Sequence, residues 1–503
     1  MRKIQLAVLF AAFVAAIVLP YVVAANAAGD EYWFGGFLLN PIDGNTYLAK
    51  MQQGFSGSWT FTLPFTAEPG EGVYLFLFYL FLGHLARLTG LDLLGLFHLA
   101  RVAAAVFMLW EAILLARAVL PTERLVRFAA VLMAFGSGAG WLFVLAGSLT
   151  SDFWVAEAYP FLSAYANPHF PLGLGLMFWI LRQAITPAGR WLPVRLAMSG
   201  VLLSLALPFG VVIVGVVVFA MTVWAALQER QVRWRPVWIA AAAGVPYVVY
   251  SYLVTLSHPV LAGWNAQNLT PAPPIWDTIV SFSPALLLAA AGLRQAWTDR
   301  SQPAARLLIL WLGLTLLLVT IPTNLQRRFL LGLYVPAALL AVLGIDWLAR
   351  HSPLKLQTWF ALALIISLPT NLLVVAGGLA AAGSHSTDLY ATGAERAALA
   401  WIAEKTQAGS VILAAPDTGL RIPAFANRRV VYGHPYETVP AEESLRRVEA
   451  FYLDESGFQP FEPVDYVVFG PRERELMGGR PAPECPVVYQ NGEVIVCAAH
   501  PTP

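Results

Sequence analysis

Charge is scarce in this chain: 12% of its 503 residues are Asp, Glu, Lys or Arg, about half the usual share for a soluble domain, while 58% are hydrophobic. A water-soluble protein of this length needs far more charge to cover its surface, which excludes a cytosolic globular enzyme at the outset. The 31 basic and 30 acidic residues leave a formal net charge of +1. That gives no basic field for a polyanion, so nucleic acid is not an expected partner. No glycine-rich phosphate fingerprint occurs, and no nucleotide cofactor is expected. Cysteine is nearly absent: two residues in all, too few to hold a structural zinc ion by themselves.

Long apolar runs are abundant instead. A helix needs about 17 to 25 residues to cross roughly 30 Å of hydrocarbon. Such stretches are read at 4–24, 92–115, 126–147, 167–183, 196–207, 209–227, 236–256, 276–293, 305–322, 328–348 and 357–380, with Pro208 separating two short helices that dip in and return. The apolar run at 73–88 decides the orientation. If it lies at the outer interface without crossing, Arg117/Arg124/Arg127, Arg182/Arg190/Arg195, Arg230/Arg233/Arg235, Arg294/Arg300/Arg306 and Arg350/Lys355 join Arg2/Lys3 on one side. The opposite loops at 148–166 and 257–275 then hold no Lys or Arg, as the positive-inside rule favours. The expected fold is mostly α: a polytopic transmembrane helical bundle of about eleven crossings in the plasma (inner) membrane. Its N-terminus is cytoplasmic, and a long outer loop spans 25–91.

Composition changes after 383. Charges return, and helical patterns at 394–405 and 442–452 alternate with strand patterns at 411–414, 429–432 and 464–469. A hairpin at 487–496 is expected about Asn491-Gly492, a favoured two-residue turn. The expected domains are therefore 1–383 in the membrane and 384–503 as a small exported α/β domain. Cys485 and Cys497 lie on opposite arms of that hairpin, one register step from facing each other. They are either a disulfide, if a bulge adjusts the register, or two reduced thiols.

Polar groups without a topological reason gather on the outer side. Asp43 is held in a turn by Pro41 and Gly44; it either carries chemistry or caps a helix starting near Asn45. Asp30, Glu31 and Glu68 share its loop. The second outer loop carries Asp152 and Glu157 and leads through Asn167-Pro168 to His169 at the mouth of a span, where a histidine either meets substrate or bonds an interfacial carbonyl. His98 and Arg101 share a face of the span at 92–115, a costly place for ionisable groups and therefore a sign of a polar cavity. Gln326-Arg327-Arg328-Phe329 places adjacent arginines outside, against the charge rule. Either they snorkel to lipid phosphates or they form an anion site, and phosphate suits arginine forks best.

This arrangement resembles the polytopic GT-C glycosyltransferases, the superfamily of protein O-mannosyltransferases and aminoarabinose transferases. The likeness rests on one crossing, an outer loop with an acid near its start (Asp43), a partly embedded segment at 73–88, a second acidic outer loop (Asp152, Glu157), Gln326-Arg327-Arg328-Phe329 before a late crossing, and an exported tail. The resemblance implies a membrane transferase with a polyprenyl-phosphate sugar as donor and a protein, lipid or glycan hydroxyl as acceptor, working among membrane lipids. Asp43 matches the catalytic acid, with the Asp30-Glu31 pair as the competing match. Glu157, Asn167, His169, Arg101, Arg327 and Arg328 would bind substrate. A divalent metal is left open, since the acidic dipeptide familiar from the family is absent at Asp43-Gly44. In the tail, His434 and Glu437 of Arg428-Arg429-Val430-Val431-Tyr432-Gly433-His434-Pro435-Tyr436-Glu437-Thr438 either hold the domain in place or touch the acceptor. The alternative class is a secondary transporter or lipid flippase, but the two halves do not echo each other as transporter repeats do.

Overall fold

The computed structural model describes residues 3–229 and 236–500, so Arg2 and the Arg230/Arg233/Arg235 loop lie outside the described residues. The protein is a multi-pass, mostly helical membrane protein with a small mixed sheet near its C-terminus. Among the described residues six helices are long and apolar enough to cross a membrane: Lys3–Ala27, Leu93–Val119, Pro208–Gln228, Trp238–Ser257, Gln326–His351 and Leu356–Ser384. The pair Ile275–Phe282 and Ala285–Thr298, bent by 79° at Ser283-Pro284, makes a seventh if counted as one broken span. Leu77–Thr89, Leu192–Ala206 and Pro303–Val319 are apolar but shorter.

Two differences from the expected spans have local causes. The stretch 126–147 is not one helix: Glu123–Phe135 ends at Gly136, and only the turn Trp141–Val144 follows. A side chain at Gly138 would collide with the Ser281 backbone, and one at Gly140 with Thr150 and Asp152. The glycines let this chain lie against its neighbours, where a helix carrying side chains does not fit. The stretch 276–293 bends because Pro284 supplies no N–H to continue the ladder.

The chain divides into two compact units, Met1–Pro20 with His98–Tyr250 and Thr270–Gly378, and Tyr21–Phe97 with Ser251–Leu269 and Leu379–Pro503. The 384–503 segment thus shares a unit with residues 25–91 and with 251–269. In the first unit, Arg101 is 1% exposed and donates through Nη1 to the carbonyls of Ile17, Ala164 and Tyr165 at 3.0, 2.8 and 3.2 Å. Glu111 pairs with Arg182 at 2.8 Å.

In the second unit, strand β1 (Tyr32–Phe34) pairs antiparallel with β2 (Tyr390–Thr392), a link that no local pattern announces. Helix Pro41–Phe55 packs on helix Leu77–Thr89 through two glycines, since a side chain at Gly54 would meet the Leu80 carbonyl and one at Gly83 the Met51 carbonyl. Thirteen residues make Leu77–Thr89 roughly 20 Å long, short of a bilayer core.

The tail contains β3 (Val411–Leu413), β4 (Arg429–Val430), β5 (Tyr466–Phe469), β6 (Val487–Asn491) and β7 (Val494–Ala498), ordered β4-β3-β5-β7-β6. β3 runs parallel to β4 and β5, and β7 antiparallel to β5 and β6. Alternation sorts Ile412, Val430, Val468 and Val496 to one core and Val411, Leu413, Val431, Val467 and Phe469 to the other. Helix Gly393–Lys405 begins with a capping box, Thr392 with Glu395. Helix Pro416–Ala426, which the strand-and-helix reading passes over, leaves the carboxyl end of β3.

The hairpin turns one residue later than expected: Asn491 pairs with Val494, so Gly492-Glu493 form the loop and Gly492 takes φ 54°. The register shifts between Val487 and Tyr489, and Cys485 is bonded to Cys497 with the Cα atoms 5.9 Å apart.

Candidate active site

Asp43 owes its setting to the start of its helix. Pro41 is the first helical residue and Asn40, at φ 49°, is the N-cap. The helix therefore starts earlier than Asn45, and Asp43 stands within its first turn, where the helix dipole favours an acid. Asn40 Oδ1 accepts from the Asp43 N–H at 3.3 Å, and Asn40 Nδ2 donates to Asp43 Oδ2 at 2.6 Å. The carboxylate is thus half-buried and aimed by its own cap. Gly44 has no room for a Cβ because the Phe37 ring occupies that space.

Three and seven residues beyond Asp43 on the same helical face come Thr46 and Lys50. Both reach the tail: Thr46 Oγ1 donates to Glu437 Oε2 at 2.8 Å, and Lys50 Nζ to Glu437 Oε1 at 2.7 Å. Lys50 is 1% exposed, with its ammonium 4.2 Å from the Phe76 ring centre, 5.4 Å from Phe61 and 5.6 Å from Tyr47. Burial works against the Glu437 carboxylate, but Lys50, the field of His434 and the hydrogen bonds from Lys50 and Thr46 outweigh it and hold its pKa below the ordinary value. Burial pushes the His434 imidazole down, Lys50 adds to this, and Glu437 and Asp43 oppose it.

The remaining first-loop acids stand apart from this cluster. Asp30 and Glu31 are exposed at the turn before β1, where the Glu31 carbonyl accepts from Gly393 N at 3.1 Å, and Glu68 is exposed.

In the first unit the structure brings together Glu157 and the paired arginines. Arg328 Nη1 donates to Glu157 Oε1 at 2.9 Å, with the glutamate side chain 5% exposed and the arginine 27%. The Arg327 guanidinium lies 4.9 Å from the Trp154 ring centre. Backbone bonds fix the base of this pair: Arg327 N donates to Thr270 O at 3.0 Å, Thr270 N to Asn324 O at 2.8 Å, and Gly332 N to Glu157 O at 3.0 Å. Two guanidinium planes held by a carboxylate and an indole are oriented forks, the form that suits an anionic oxygen cluster.

Other expected site residues serve the backbone nearby. Asn167 Oδ1 accepts from Phe170 N at 3.4 Å at the start of helix His169–Ile185, and the His169 ring is tilted against Phe170 with the ring centres 4.1 Å apart. Arg101 Nε donates to His98 Nδ1 at 3.2 Å. No group of three or more His, Cys, Asp or Glu side chains suited to a metal ion occurs among the described residues.

The sequence matches no protein-family model and no curated protein. Solved structures do match. ArnT from Cupriavidus metallidurans in the apo state is 14% identical, with 99% of this chain and 99% of that chain covered at a TM-score of 0.50. The fold is that of the GT-C glycosyltransferases. The archaeal oligosaccharyltransferase AglB from Archaeoglobus fulgidus, solved with an inhibitory peptide and a dolichol-phosphate, is 13% identical, with 91% of this chain and 69% of that chain covered at a TM-score of 0.51.

On this GT-C fold the residues that sequence reading missed are Thr46, Lys50, Trp154 and Asp277. Lys50 left a signal: it is one of four lysines in the chain and lies seven residues past Asp43. Asp277 left none, because its partners are remote. It accepts from Ser151 N and Oγ at 2.9 Å and from Ser281 Oγ at 2.5 Å, while Asp152, 0% exposed, accepts from Thr150 Oγ1 at 2.6 Å and Gly140 N at 3.1 Å. These two acids stitch the 148–166 loop to the broken span, so Asp152 is engaged in scaffolding.

Proposed function

We propose that the protein is a glycosyltransferase that moves a sugar from a polyprenyl-phosphate donor to a hydroxyl of a protein, lipid or glycan acceptor at the outer face of the membrane. The observation that carries this reading is the full-length likeness of fold to ArnT, joined by AglB, a protein solved with a dolichol-phosphate. The charge pattern supports an N-terminus inside and a C-terminal segment outside.

In this reading Asp43 Oδ accepts the proton of the acceptor hydroxyl as its oxygen bonds the anomeric carbon. The bond from that carbon to the phosphate oxygen breaks, and the electron pair leaves with the lipid phosphate. Arg327 and Arg328 stabilise the charge that grows on this leaving group, a task their fixed forks perform without reorganising. Glu157 orients Arg328. His169 faces the substrate, and Arg101 and Asn167 position it indirectly by holding the 164–170 turn. Asp30 or Glu31 is the alternative base.

The test is consumption of a radiolabelled polyprenyl-phosphate sugar by the purified protein, wild type beside Asp43→Asn and an Asp30→Asn/Glu31→Gln double variant. Loss in the first with retention in the second supports Asp43; the reverse moves the base to the acidic pair.

A further inference from the structure

The loop after β4 carries a histidine whose chemistry the proposed reaction leaves unused. This loop leaves the carboxyl end of a strand in the parallel part of the sheet, the edge where open α/β sheets bind ligands. His434 is 2% exposed. Its Nδ1 accepts from Tyr436 N at 3.0 Å and from Glu437 N at 2.9 Å, which places the ring proton on Nε2. That Nε2 is buried and has no hydrogen-bond partner among the described residues. A buried donor left without a partner forfeits its hydration, so natural structures seldom keep one without a use.

The ring is also held still. Thr438 Oγ1 accepts from Gly433 N at 3.3 Å and His434 N at 3.1 Å, Gln267 Nε2 donates to the Tyr436 and Thr438 carbonyls at 2.7 and 2.5 Å, and Glu437 is anchored by Thr46 and Lys50. These bonds hold the loop around His434, the Phe65 ring centre lies 5.4 Å from its own, and the charges that its ring senses are Glu437, Asp43 and Lys50. Burial keeps the ring neutral, so Nε2 offers one N–H and no charge. Such a donor suits a neutral oxygen rather than a phosphate.

Resting on the transferase reading, we propose that His434 is a substrate ligand: its Nε2–H donates to a carbohydrate hydroxyl, brought by the donor's sugar or by a glycan acceptor. The loop and the helix of Asp43 are joined through Glu437, so the sugar is gripped on the element that carries the base.

Two variants separate ligand from scaffold. Asn at 434 keeps an acceptor near Nδ1 and deletes the outer donor; Gln keeps an N–H near Nε2 and deletes the inner acceptor. Binding of decaprenyl-phosphate hexose, bare decaprenyl phosphate and a set of free oligosaccharides is measured on the purified full chain, with melting temperature beside each. His434→Asn is expected to melt as wild type yet lose about three- to tenfold in affinity for the sugar-bearing ligand, the worth of a neutral hydrogen bond. His434→Gln should bind within about twofold of wild type while melting lower. Loss confined to decaprenyl-phosphate hexose assigns the donor's sugar, and loss confined to oligosaccharides assigns the acceptor. Asn binding every sugar as wild type does, or wild type binding none, overturns the proposal. Wild type that binds sugar dependent on His434 but turns over no donor sinks the transferase reading and leaves His434 a carbohydrate ligand.

Discussion

Lys50 Nζ donates to Glu437 Oε1 at 2.7 Å across 387 residues of sequence, so the helix that begins at Asp43 is tied by an ion pair to the loop after β4. Both partners are buried, the side chains 1% and 8% exposed. Removing one member of such a pair strands the other charge in a dry place and costs about 3 to 5 kcal/mol, whereas replacing both by apolar groups is near neutral. Lys50→Met and Glu437→Gln are each expected to lower the melting temperature sharply, and Lys50→Met/Glu437→Leu to recover most of the loss. Single variants that melt as wild type does would remove the pair from the account.

Acid should loosen this same cluster in two steps. The folded pKa of His434 lies below 6.5, so the stability from its neutral ring is complete above 6.5 and is lost as pH falls through the lowered value. The folded pKa of Glu437 lies below 4.5, so its share persists above 4.5 and disappears further down. Melting temperature measured against pH should fall in the first window for wild type and stay flatter for His434→Gln. Equal slopes in both proteins would contradict the assignment.

With Asp43 as the proposed general base, Asp43→Asn should lower kcat by about 10²- to 10⁴-fold with a smaller change in KM. Asn40→Ala deletes the cap and should cost about 1 kcal/mol of stability and a lesser part of the turnover. An Asn40 variant slower than Asp43→Asn would point to a role for the cap beyond aiming the carboxylate.

The Arg328 fork is expected to grip the lipid phosphate. Arg328→Gln should weaken decaprenyl phosphate binding by about 1.5 to 3 kcal/mol, the usual worth of a charged hydrogen bond. Arg328→Lys should restore little of it, because a point charge cannot replace the bidentate fork. Affinity unchanged in both variants would return these arginines to surface lipid contacts.

Most of the helical fold was legible because apolar length and arginine placement are properties of composition. The first span, the helix at 92–115 and the final hydrophobic helices follow from it directly. What escaped depended on close approach and remote partners. Gly136, Gly138 and Gly140 break an apolar stretch only because Tyr334, Ser281, Thr150 and Asp152 press against them. The pairing of Tyr32–Phe34 with Tyr390–Thr392 joins segments more than three hundred residues apart. Among the candidate residues, Asp43, Glu157, Arg327 and Arg328 were visible as polar groups without a topological reason, and His434 and Glu437 through the 428–438 tail motif. Thr46 was not, and Lys50 stood out only as a scarce residue type, since only the fold reveals that Glu437 is their partner.

The central claim is lipid-linked sugar transfer, and the most direct measurement is single-turnover release of polyprenyl phosphate from a set of polyprenyl-phosphate sugars by the purified protein in bilayers. Wild type is expected to release it from at least one donor, and Asp43→Asn to do so at least a hundredfold more slowly. Binding of those donors with no release by wild type, or release undiminished in Asp43→Asn, would contradict that claim.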